Sequence, residues 1–70
     1  MVEVFKTNVS DQTEADLLLS EIYRLMRDCA ANFDLEDCDR ILRVKYEGEM
    51  DPSVLITLLN NFGFDAEVLL

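Results

Sequence analysis

At 70 residues the chain has room for one small domain. Half of its residues are hydrophobic, so a core can form, but so short a chain buries a modest fraction of its surface. Six basic against fifteen acidic residues give a net charge of −9, which repels nucleic-acid phosphates and anionic membranes and suits a soluble protein or one with a basic partner.

The chain has no histidine, which removes imidazole ligands, imidazole bases and any triad containing them. It also lacks a Gly-rich phosphate loop and an activated Cys or Ser, so no catalytic site and no cofactor are expected. The opening MVEVFK has neither the basic nor the apolar region of a signal peptide, and apolar runs such as Leu17–Leu19 are too short to span a bilayer. A cytoplasmic protein is the expectation. Two cysteines, Cys29 and Cys38, are too few for a disulfide framework and form no CxxC pair.

Residues 2–7, VEVFKT, alternate and predict a strand whose facing stays open: Val2 and Val4 point inward, or Phe5 and Thr7 do. A helix follows. Ala15, Leu18, Leu19, Ile22, Leu25, Met26 and Cys29 recur at i, i+3, i+4 and i+7. Ser10 or Asp11 can cap it, Asp11 with Glu14 has capping-box spacing, and Thr13 with Asp16 offers a second register.

NFDLED and RILRVKY then predict a β-hairpin turning at Cys38 and Asp39. Phe33, Leu35, Leu42 and Val44 share the inner face. In that register Asp37 faces Arg40, Asp34 faces Arg43 and Asn32 faces Lys45, a ladder pairing acids with bases. A second helix starts with Asp51 as N-cap and Pro52 at its first position, carries the stripe Val54, Leu55, Leu58, Leu59 and Phe62, and closes at Gly63. DAEVLL is the last strand. The order β-α-β-β-α-β predicts an α+β, ferredoxin-like sandwich over residues 1–70, a four-stranded antiparallel sheet with two helices on one face. With Phe5 inward, Val4, Ile41 and Leu69 fall on the open face among charges, a surface that allows a monomer or a weak homodimer.

From Asn32 to Leu69 the chain resembles the second half of a heavy-metal-associated (HMA) domain, the fold of copper chaperones and of small domains on metal-pumping ATPases. The resemblance rests on Leu42-x-Val44 in the third strand, the acid-Pro helix start at Asp51 and Pro52, the apolar spacing after it, and Gly63-Phe64-Asp65-Ala66-Glu67-Val68. It implies the ferredoxin-like fold and, in the family, a metal held by a CxxC at the first helix start, after a core Met. The matching stretch here is Val9-Ser10-Asp11-Gln12-Thr13-Glu14-Ala15. Val9 takes the place of the Met, and Asp11 and Glu14 take the places of the two thiolates. Carboxylates are hard ligands that do not suit Cu(I), so the chaperone activity does not carry over.

Two readings follow. The first is a small non-catalytic HMA-like domain with a degenerate metal site, acting as a protein-interaction or regulatory module. The alternative is an atypical metal carrier using Asp11, Glu14 and Cys38, although two carboxylates fall short of the oxygen count that Ca²⁺ demands and also suit a helix N-terminus by themselves. Cys29 extends the apolar stripe and reads as a small core residue. Cys38 is expected exposed on its turn, roughly 20 Å or more from Cys29 at about 3.3 Å per strand residue, well beyond disulfide reach. Phe62 and Phe64 are expected to complete the core.

Overall fold

Six elements form in the computed structural model, which describes residues 1–69. They are β1 (Val2–Thr7), α1 (Gln12–Leu25), β2 (Ala30–Asp34), β3 (Ile41–Lys45), α2 (Pro52–Asn61) and β4 (Ala66–Val68). The sheet order is β2-β3-β1-β4 and every pairing is antiparallel. This is the expected ferredoxin-like α+β layout. Both helices cover one sheet face, because Leu18 and Ile22 of α1 and Leu55 and Leu59 of α2 share a single core with Phe5, Leu42 and Val44.

The facing of β1 is now fixed. Phe5 and Thr7 are buried, whereas Val2 is 53% exposed. Phe5 lies between Leu42 on β3 and Val68 on β4, at the centre of the sheet. Val9, in the connection after β1, is fully buried.

Helix α1 is shorter than its apolar periodicity implies. It ends at Leu25, and Met26 turns extended (φ −131°, ψ 94°) while its N–H still bonds to the Ile22 carbonyl at 2.8 Å. Cys29 therefore lies beyond the helix. It packs half-buried against the core, and its thiol donates to the Met26 carbonyl at 3.1 Å. Burial pushes that thiol up and the Asp28 charge adds to this, against a smaller opposing backbone hydrogen bond.

The β2–β3 register departs from the sequence reading by two residues. Asp34 pairs with Ile41, Asn32 with Arg43 and Ala30 with Lys45. The inner face is preserved, because a shift of two keeps every side chain on its side. The acid-base ladder is lost. Among the described residues the ion pairs are Lys6–Asp39 at 3.8 Å and Arg24–Glu21 at 3.2 Å, both at the surface and worth about 0–1 kcal/mol. The connection is a six-residue loop, Leu35–Arg40, not a two-residue turn. A two-residue hairpin turn of type I′ asks for positive φ at both central positions, which Asp39 tolerates but Cys38 does not favour. Here Arg40 alone takes positive φ, at 47°. Ile41, assigned to the open face, is only 3% exposed, at the end of β3 where this loop is tied down.

Helix α2 starts as expected. The Asp51 carboxylate accepts from the Ser53 N–H at 3.0 Å, and that bond holds its pKa below the usual carboxylate value. The helix closes in a Schellman motif. The Gly63 N–H bonds to the Asn60 carbonyl at 3.0 Å and the Phe64 N–H to the Leu59 carbonyl at 2.9 Å, with Gly63 at φ 89°. The buried stripe is narrower than expected. Leu55 and Leu59 are fully buried, but Val54 and Phe62 are each 42% exposed. Phe62 is the C-cap residue, and the reversal at Gly63 turns Phe64 onto the core in its place. The last strand is three residues long; Leu70, the end of the expected strand, lies outside the described residues.

Candidate functional site

Three loops meet at one end of the sheet, and the end of β1 binds them together. Thr7 is buried at the last position of that strand. Its hydroxyl donates to the Arg40 carbonyl at 2.6 Å and accepts from the Val9 N–H at 3.2 Å. Its own N–H bonds to the Asp39 carbonyl at 3.1 Å. One side chain thus joins the β1–α1 loop to the β2–β3 loop. On the other side, the Asn8 side-chain oxygen accepts from the Asp65 N–H at 2.8 Å, which fixes the α2–β4 loop. A shallow depression of about 390 Å³ lies there, lined by Lys6, Thr7, Asn8, Asp65, Ala66 and Glu67.

Asp11 and Glu14 stand at the start of α1, at this same end. Asp11 is the N-cap, with extended φ −115° and ψ 131°, and its carboxylate accepts from the Thr13 N–H at 2.7 Å. A cap of this kind contributes about 1 kcal/mol. Among the described residues, no bond from Glu14 back to the Asp11 N–H completes the capping box. The second register is used differently: Gln12, not Thr13, bonds to Asp16, at 2.9 Å.

Cys38 is exposed on the β2–β3 loop. Among the described residues, the one group of three side chains able to ligate a metal within 4.8 Å of one another is Asp37, Cys38 and Asp39; Asp11 and Glu14 are not in it. The loop itself accounts for both carboxylates. Asp37 accepts from the Asp39 N–H at 2.9 Å, an Asx turn, and Asp39 pairs with Lys6. The donors at the α1 start are carboxylates, and one of them is engaged as a cap. This set does not fit a soft metal.

Sequence reasoning singled out Asp11 and Glu14 but passed over Thr7 and Asn8, which organise this end. The signal was slight: a Thr at an inward position of a strand, followed by an Asn able to hold a turn. No helix among the described residues is long and apolar enough to cross a membrane. No protein-family model, curated protein or solved structure matches the chain.

Proposed function

We propose that this chain is an HMA-like domain whose metal site has degenerated, and that it acts as a small non-catalytic interaction or regulatory module. The observation that carries the reading is the start of α1. The position of the first family thiolate is Asp11, whose carboxylate is bound to the helix it caps. The position of the second is Glu14, another hard oxygen donor. What remains for function is surface. The helical layer exposes Leu17, Leu25, Val54 and Phe62, and α2 carries no charged residue between Pro52 and Asn61. These exposed apolar side chains suit an apolar contact, and the net charge of −9 favours a partner that is basic overall.

Restoring the thiolates tests the relation to the family. Asp11→Cys/Glu14→Cys, made in a Cys38→Ser background and kept reduced, is expected to bind one Cu(I) per monomer, with at least about a hundredfold gain in affinity over the Cys38→Ser parent. The warrant is the match of soft thiolate to soft metal, helped by the helix N-terminus that favours the thiolate form. A double variant that folds and binds no tighter than its parent would contradict the family reading.

A further inference from the structure

Of the two sheet edges, β4 is three residues long and β2 is five. An edge strand exposes backbone N–H and C=O groups at every second residue, a template for another strand. In the β2–β3 ladder these outward positions are Ala31 and Phe33.

At Ala31 both outward groups are taken by one atom. The Tyr23 hydroxyl, reaching across from α1, accepts from the Ala31 N–H at 2.9 Å and donates to the Ala31 carbonyl at 3.0 Å. It supplies the donor and the acceptor that a paired strand would supply. Two residues past Phe33, the Leu35 carbonyl accepts from the Arg40 guanidinium at 2.7 Å. Phe33 is left between two latches, its outward groups without a side-chain partner among the described residues.

The strand beneath is suited to pairing with itself. Antiparallel β2–β2 pairing centred on Asn32 places Ala31 opposite Phe33 of a second copy, so the two outward positions of each strand match as hydrogen-bonded pairs. Asp34 then faces Ala30, and no like charges meet, since Asp34 is the one charged residue of the strand. Such a contact is isologous and closes at two copies. It cannot form while the Tyr23 hydroxyl holds Ala31. We infer that Tyr23 is a latch that keeps the β2 edge from pairing with that of a second copy, and that the chain is monomeric for this reason.

Tyr23→Phe removes the hydroxyl and keeps the ring. Sedimentation equilibrium at roughly 0.5 M salt, which screens the net negative charge, is expected to show the parent as a monomer and Tyr23→Phe in a concentration-dependent dimer. Adding Ala31→Pro, which removes the outward N–H at an edge where proline is tolerated, is expected to return the monomer. In the parent, hydrogen exchange at the Ala31 amide is expected to be at least about tenfold slower than at Phe33, the protection one hydrogen bond confers. Tyr23→Phe monomeric at about 1 mM, a dimer that survives Ala31→Pro, a dimeric parent, or equal exchange at Ala31 and Phe33 would each overturn the inference.

Discussion

Phe5→Ala is expected to cost about 3–5 kcal/mol, read from the urea midpoint of the far-UV circular dichroism transition. Phe5 is fully buried, and it packs in the core against both helices and the β3 residues beside it. A 70-residue domain has a total stability of roughly 4–10 kcal/mol, so this one truncation consumes about a third of it or more. Val2→Ala is the matched control on the same strand. Val2 is more than half exposed on the opposite face, and its truncation is expected to stay within about 0.5 kcal/mol. A reversed ranking would mean that β1 presents its other face to the helices.

The second large effect is expected from a hydroxyl. Thr7→Val keeps the shape of the side chain and removes the one atom that serves both Arg40 and Val9. Valine leaves a backbone carbonyl and a buried backbone N–H without partners. At about 1–3 kcal/mol for each unsatisfied group, the expected loss is about 2–6 kcal/mol, or a fall in melting temperature of at least roughly 8 °C. Thr7→Ser keeps the hydroxyl and is expected to lose less than about 1.5 kcal/mol. Equal losses in the two variants would remove Thr7 from its organising place at the loop end. Arg40 explains why the bond matters. With φ at 47° it sits in a region that L-residues visit at a cost, and the Thr7 hydroxyl is one of the contacts holding it there.

The legible part of the fold was the part written in periodicity and caps. Asp51-Pro52 marked the start of α2, Gly63 marked its end, and the start of α1 was marked to within a residue or two by Ser10 or Asp11, each through a local rule that needs no tertiary partner. Facing was legible wherever one face is plainly apolar, as at Leu42 and Val44. Register was not. A hydrophobic alternation repeats every two residues, so it distinguishes odd shifts from even ones but cannot choose between two even ones. The loop decided, through the Asx turn at Asp37 and the left-handed Arg40. The end of α1 was missed because Cys29 continues the stripe by coincidence: it packs against the core from beyond the helix.

At the candidate site the residue types were legible and their employment was not. Two acids three apart at a helix start favour a cap over a ligand pair, and the Thr13 N–H contact shows Asp11 engaged as the cap. Thr7, Asn8 and Tyr23 act on backbone groups that are remote in sequence or lie beyond the next loop, and no spacing rule announces such partners.

An amide NMR titration of the reduced chain with Cu(I), Zn²⁺ and Ca²⁺ in turn decides whether the start of α1 binds metal, as against the proposed loss of that site. No saturable shift centred on Asp11–Glu14 is expected with any of the three up to about millimolar metal, the range of weak carboxylate sites. Saturable shifts focused on those residues would contradict the proposed loss, and would mean that the start of α1 still holds a metal through its two carboxylates.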